Sequence, residues 1–129
     1  MNLPENKELF ETEIATYWFG DDGILYSVSK NPQRTVANTS ESFELIRRIT
    51  NNAKIPLLVH LCKSPVPDKE TRKFVARNLS TVYTAMAMVS KSGLGNVIMN
   101  VLFRFNPPSI PMKSFSNEEE AKNWLKHFI

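Results

Sequence analysis

The sequence predicts an α/β fold in which a mixed β-sheet of about five strands, opened by an N-terminal β-hairpin, packs against four helices. The turn Gly20-Asp21-Asp22-Gly23 separates two segments rich in β-branched and aromatic residues, a pattern typical of a hairpin. Two nearly unbroken apolar runs, 55–61 and 84–90, are typical of strands buried on both faces of a sheet. The length of 129 residues, with 42% hydrophobic and 22% charged residues, fits a single domain over 1–129.

The N-terminal part of the chain supplies the hairpin and the first helix. Residues 1–12 form a polar N-terminal arm, and the hairpin strands follow at 13–19 and 24–28. Thr39 or Ser40 then caps the first helix, because both hydroxyl side chains can accept a hydrogen bond from an unpaired amide of the first turn.

The C-terminal part alternates strands and helices. After the first apolar run, Asp68 begins a helix that reaches about Leu79, and the second apolar run follows it. A short strand at 112–115 precedes the last helix, which opens with a capping box formed by Ser116 and Glu119.

The segment 91–106 predicts a helix with more apolar surface than one core contact needs. One apolar stripe at helical spacing contains Leu94, Val97, Ile98, Val101, Leu102 and Phe105. A second stripe repeats every four residues at Gly95, Met99 and Phe103, which leaves a polar strip of Asn96, Asn100 and Arg104. The apolar residues cover roughly 240° around the helix axis, more than twice the ~100° that they cover on an ordinary surface helix.

Three kinds of contact would cover the second apolar stripe. The N-terminal arm could fold over it through Leu3, Leu9 and Phe10. A second copy of the chain could pack on it, since two-fold self-association is the commonest way to bury such a patch. A lipid-like ligand or a membrane surface is the third alternative, and methionine beside phenylalanine suits an adaptable apolar contact.

Charge and cysteine content exclude several classes of protein. The net charge is +3 with interleaved signs, and a nucleic-acid binder would show a continuous basic stripe with aromatic residues between the charges. Cys62 is the single cysteine, so no internal disulfide can form and a reducing compartment is expected. The polar, acidic N-terminus differs from a secretory signal, and no apolar run reaches the ~18–20 residues of a transmembrane segment. These observations predict a cytoplasmic protein.

Catalytic, metal and phosphate sites have weak support. His60 and Cys62 share one strand face, but their separation of roughly 6.5–7 Å is too large for a nucleophile and its base. No ligand spacing for a metal is present. Gly93 and Gly95 open a helix after a strand, where backbone amides can bind anions, but the third glycine of a dinucleotide fingerprint is replaced by Ile98. Gly95 also suits close packing of the helix at its start. We therefore expect no enzyme activity and no cofactor.

The order of elements and the ending 115–125, FSNEEEAKNWL, resemble the small bacterial single-domain members of the SpoIIAA-like group in the STAS (sulfate transporter and anti-sigma factor antagonist) superfamily. Gly23-Ile24, the apolar run 55–61 and Arg72 in the following helix also match. The resemblance implies a single STAS-like domain that is non-enzymatic, often dimeric and used as a regulatory protein-binding module. The related CRAL-TRIO architecture binds lipids.

The resemblance departs from the signalling members at one functional turn. Those members carry a phosphorylatable serine in an Asp-Ser-Ser-Gly-type turn after the central strand, whereas this chain has neither the Asp nor the Gly there. Ser64 is the positional candidate, and with Arg72 and Lys73 it forms the predicted partner-docking site.

The sequence thus predicts a regulatory or scaffolding protein-interaction domain that forms homodimers through the helix 93–105, with Gly95, Met99, Leu102 and Phe103 at the interface. The alternative function is a carrier that binds a small apolar or lipid-like ligand between helix 93–105 and the sheet. An unknown protein partner belongs to the first hypothesis, and neither hypothesis involves nucleic acid or a transmembrane segment.

Overall fold

The computed structural model describes residues 3–91, 93–103 and 107–129, without the side chains of residues 101 and 102. These residues form six strands and four helices. The strands are β1 (Phe10–Glu11), β2 (Ala15–Phe19), β3 (Leu25–Ser29), β4 (Ile55–His60), β5 (Tyr83–Val89) and β6 (Met112–Phe115). The helices are α1 (Val36–Ile49), α2 (Lys69–Asn78), α3 (Leu94–Phe103) and α4 (Glu118–Leu125). Short 3₁₀ turns follow α2 at Leu79–Thr81 and α4 at Lys126–Phe128.

The six strands form one mixed sheet in sequence order, from β1 at one edge to β6 at the other. The pairs β1–β2 and β2–β3 are antiparallel, and each later pair is parallel. Each parallel pair is joined by a helix, and such crossovers almost always have the same hand. Since β4, β5 and β6 follow β3 across the sheet in one direction, the connecting helices α1, α2 and α3 lie on one face. The opposite face is left for α4.

Two buried clusters follow from this arrangement. The first cluster lies under α1, α2 and α3 and includes Tyr17, Phe43, Leu57, Ala76 and Phe103. The second lies under α4 and includes Trp18, Ile24, Leu58, Ala121 and Leu125. Neighbouring residues of one strand belong to different clusters because successive side chains point to opposite faces.

The sheet contains one strand more than the five that the sequence predicts. Phe10 and Glu11 of the N-terminal arm pair with Tyr17 and Thr16 of β2, and the Phe10 and Phe19 rings meet edge to face at 6.1 Å. A two-residue strand is too short to produce an alternating pattern, so the arm showed no strand signal.

Two of the predicted helix starts are displaced, and one is confirmed. α1 begins at Val36, where Thr35 and Asn38 form a capping box, so Thr39 and Ser40 lie inside the helix. Asp68 caps α2 as predicted, and its carboxylate accepts from the Thr71 amide at 2.8 Å.

For α4, the cap is Asn117 rather than Ser116. The Asn117 side chain accepts from the Glu120 amide at 2.9 Å. The sequence offers two adjacent residues that can cap this helix, so spacing alone could not choose between them.

Within the part of the chain that the structure describes, no helix combines the length and the apolar character needed to cross a membrane.

Candidate functional site

An apolar cavity of about 240 Å³ lies between the sheet and the layer formed by α1, α2 and α3. Strands β2 to β6 supply its floor through residues such as Tyr17, Leu57, Met88 and Met112. Each of the three covering helices contributes to its roof, with Thr39 and Phe43 from α1, Val75 from α2, and Leu94, Val97, Ile98 and Phe103 from α3. Protein interiors seldom leave gaps much larger than a water molecule, so this space is unusual for a domain core.

The position of α3 against the sheet is set by Gly95. A Cβ atom added at Gly95 would lie 2.8 Å from the Ser114 Cβ on β6 and 3.4 Å from the Met88 Cβ on β5, and it would also clash with the Ser114 hydroxyl. No residue with a side chain fits this contact without displacing a strand. The absence of a side chain therefore allows the start of α3 to approach the sheet closely.

Both apolar stripes of α3 contribute to the contact with the rest of the protein. From the second stripe, Phe103 is only 7% exposed and belongs to the first buried cluster, Gly95 is buried, and Met99 packs against the cluster. From the first stripe, Ile98 packs against the same cluster, whereas Val97 is 55% exposed. Periodicity alone cannot decide how two adjacent apolar stripes share the contact with the sheet.

Other residues of this segment lie outside what the structure describes. They are Ser92, residues 104–106, and the side chains of Val101 and Leu102. The prediction that Leu102 contributes to an interface therefore stays a prediction.

Arg34 brings a positive charge to the apolar cavity and is the one charged side chain among the described residues that line it. Its guanidinium donates three hydrogen bonds, to the carbonyl oxygens of Lys30 at 2.7 Å, Pro32 at 3.1 Å and Ile14 at 3.1 Å. Burial lowers the pKa of Arg34, and the nearby Cys62 and Tyr17 act in the opposite direction. An arginine side chain keeps its charge even so.

Hydroxyl groups supply the remaining polarity of the cavity. Burial raises the pKa of Tyr17 and of Tyr83, so both phenols are neutral donors at neutral pH. The Thr39 hydroxyl is buried and has no hydrogen-bond partner among the described residues. An unpaired buried hydroxyl is costly, which marks Thr39 as a group that a bound molecule could satisfy.

The connector 61–68, between β4 and α2, forms part of the cavity wall. Six of its residues line the cavity, namely Leu61, Cys62, Ser64, Pro65, Val66 and Pro67. Val66 is 57% exposed and Val97 of α3 is 55% exposed. Both residues therefore lie where the cavity meets the surface. The Val66 carbonyl accepts from the Gln33 side chain at 3.4 Å, which joins the connector to the loop before α1.

The structure only partly gathers the predicted partner-docking residues. Ser64 lines the cavity on the connector, whereas Arg72 donates to the Pro67 carbonyl at 2.7 Å and stabilises the start of α2. Lys73 is partly buried on the same helix. Arg72 thus has a structural contact of its own.

His60 and Cys62 are not brought together. The His60 Nε2 atom lies 2.8 Å from the Glu118 Oε1 atom at the start of α4, on the face of the second cluster. Cys62 lines the cavity on the other face. The two side chains diverge because the strand ends at His60, so the alternation that predicts a shared face no longer applies. Across the described residues, no group of three or more His, Cys, Asp or Glu side chains could hold a metal ion.

Sequence reasoning missed Arg34, Tyr17 and Thr39 as residues of one site. Arg34 follows Pro32 in a polar loop and looks like an ordinary solvated arginine. Tyr17 and Thr39 look like a strand residue and a helix cap. No spacing connects the three, since their proximity to one cavity arises only from the packing of α1 on the sheet.

Residues 17–129 match the family model of a domain of unknown function, DUF7793, and the chain belongs to this family. The match begins within β2 and extends over the later strands and all four helices, whereas Ile14 and Ala15 of the cavity wall precede it. No curated protein and no solved structure matches the chain.

Proposed function

We propose that this member of the DUF7793 family binds one small apolar or lipid-like ligand between the sheet and helices α1, α2 and α3, and acts as a carrier without catalysing a reaction. The observation that carries the proposal is the cavity of about 240 Å³, whose described lining is apolar except for one arginine and a few hydroxyl groups. Ligand sites in proteins have this composition, with a mostly apolar wall and a few placed polar groups.

The accessibility of the cavity also supports a ligand. The exposed Val66 and Val97 lie at its wall, so an apolar molecule can enter it from the surface. Replacing water in such an apolar space by an apolar molecule is favourable in proportion to the apolar area removed from water.

The methionines of the cavity wall also support this function. Met86, Met88 and Met112 all line the cavity. Methionine has a flexible, polarisable side chain that adapts its packing to a bound apolar molecule.

A matched pair of substitutions tests the proposal. Val75→Phe adds a ring inside the cavity, whereas Val36→Phe adds the same ring at an exposed position of α1 outside the cavity lining. We expect 1-decanol to bind the wild type and the Val36→Phe variant equally by calorimetry, and to bind Val75→Phe at least about tenfold more weakly. Binding of 1-decanol to none of the three proteins, or equally to all three, would contradict the carrier function.

A regulatory, homodimeric STAS-like module is the second candidate. It is favoured by the exposed Val97 on α3 and by the order of the sheet, an antiparallel hairpin followed by three parallel additions. Because Phe103 is buried within its own chain, a dimer through α3 would use the face of Val97 instead.

Light scattering on a sizing column tests the dimer. We expect Val97→Asp to give a folded monomer from a dimeric wild type, and Val36→Asp on α1 to leave the dimer intact. A wild type that elutes as a monomer at all concentrations would remove this candidate and leave the carrier.

A further inference from the structure

Arg34 is a partly buried cation without an acidic partner. The ion pairs of the described residues join Lys7 to Asp21, Lys30 to Glu11 and His60 to Glu118, and none involves Arg34. Its three hydrogen bonds all go to backbone carbonyl oxygens. A guanidinium has five N–H donors, so two of them have no acceptor among the described residues.

The charge of Arg34 is costly where it lies. Partial removal of a cation from water is unfavourable unless an anion compensates for it, and backbone carbonyls compensate only in part. A positive charge at the wall of an apolar cavity therefore favours an anionic ligand over a neutral one. Carboxylates bind such a guanidinium with two parallel hydrogen bonds, the strongest arrangement available to it.

The orphaned hydroxyl of Thr39 points to the same ligand chemistry. Thr39 is 5% exposed, lines the cavity and has no partner for its Oγ1 atom in the described part of the chain. As a donor, this hydroxyl complements an acceptor-only carboxylate.

The volume of the cavity and the position of Arg34 within it limit the apolar part of the ligand. A cavity of roughly 150 Å³ holds benzene, so a volume of about 240 Å³ corresponds to roughly ten carbon atoms. Arg34 is bonded to the Ile14 carbonyl beside β2, whereas Met112 and Phe103 line the cavity on the side of β6 and α3. The charge therefore lies toward the β2 side of the cavity, and the lining residues from β6 and α3 are apolar.

We propose that the cavity binds a medium-chain fatty acid, with its carboxylate on Arg34 and Thr39 and its alkyl chain directed toward Phe103 and Met112. This inference rests on the proposed carrier function and adds the chemical class of the ligand. A single anionic head group and one chain of about ten carbons satisfy the charge, the unpaired donors and the volume together.

Calorimetry with decanoate and 1-decanol at pH 8 tests this inference, because the two molecules share a chain length and differ in charge. We expect the wild type to bind decanoate at least about tenfold more tightly than 1-decanol, the difference that one charge-assisted hydrogen bond provides. In Arg34→Gln that preference should disappear while 1-decanol binding is retained. Arg47→Gln, at a partly buried arginine of α1 that lies outside the cavity lining and donates to the Thr81 hydroxyl, is the matched control and should keep the preference.

The outcomes separate the two proposals. Equal binding of both molecules to the wild type, or an unchanged preference in Arg34→Gln, overturns the fatty-acid inference and leaves the apolar carrier. Absence of binding by both molecules overturns the carrier function itself. If Arg34→Gln fails to fold, a comparison of decanoate with decylamine on the wild type decides the question, because equal or tighter binding of the cationic amine overturns the role of Arg34.

Discussion

The two faces of the sheet are made from the same strands, but in the described part of the chain the apolar cavity lies between the sheet and only one of the two helical layers. Under α4, small side chains allow close contact, and Leu58, Ala85, Ala87, Ala121 and Leu125 are all fully buried. Under α1, α2 and α3 the packing leaves about 240 Å³. Strand β5 shows the contrast within one segment, because Ala85 and Ala87 face α4 while Met86 and Met88 face the cavity. We infer that the α4 face stabilises the fold and that the opposite face is shaped for a ligand.

The largest expected effect compares two neighbouring leucines of β4. Leu58 is fully buried against α4, whereas Leu57 lines the cavity. We expect Leu58→Ala to lower the free energy of unfolding by about 4 kcal/mol and Leu57→Ala by about 2 kcal/mol, because Leu57 loses fewer contacts when its side chain is truncated. Urea denaturation followed by circular dichroism measures both values.

The control for this comparison is the slope of the unfolding transition, which should be the same in both variants if each unfolds in two states. An equal loss of stability in the two variants would contradict a difference in packing between the faces.

A smaller effect is expected at the contact that holds α3 over the cavity. Gly95→Ala gains helix propensity but places its methyl group 2.8 Å from the Ser114 Cβ, so we expect a net loss of about 1–2 kcal/mol. Asn96→Ala, at the next and exposed position, is the matched control and should change stability by less than about 0.5 kcal/mol. Thermal unfolding of both variants measures the difference, and a stabilised Gly95→Ala would show that α3 does not approach the sheet this closely.

The sequence predicted the architecture well where one pattern had one structural meaning. The runs 55–61 and 84–90 gave strands β4 and β5 because a strand buried on both faces must be apolar throughout. In α3, by contrast, two adjacent apolar stripes satisfied the same periodicity, and the structure packs Ile98 of one and Met99 and Phe103 of the other against the same cluster.

The cavity and its arginine could not be predicted from the sequence for a different reason. A cavity is the volume that side chains from several elements fail to fill, and no local pattern encodes that remainder. Arg34 became a site residue only because its loop carries it onto the wall of that volume.

The third prediction concerns pH and uses the tyrosines on the two faces. Tyr17 and Tyr83 belong to the cavity face and Tyr26 to the α4 face, and these are the three tyrosines of the chain. Burial raises the pKa of all three, and in Tyr26 the hydrogen bond to Asp22 at 2.5 Å raises it further. A group whose folded pKa is raised binds its proton more tightly in the folded state.

Tyrosine ionisation should therefore leave stability unchanged below pH 10 and lower it above pH 10, by about 1.4 kcal/mol per pH unit for each tyrosine that ionises only on unfolding. Absorbance at the phenolate band, followed together with circular dichroism during alkaline titration, measures this. We expect ionisation and unfolding to occur over the same pH range. In Tyr26→Phe, the free energy of unfolding should fall less steeply with pH, because one tyrosine fewer ionises on unfolding. A tyrosine that ionises near pH 10 in the folded protein would be solvated. If that tyrosine were Tyr17 or Tyr83, water would reach the phenol at the floor of the cavity, and the floor would be solvated rather than buried under the helices.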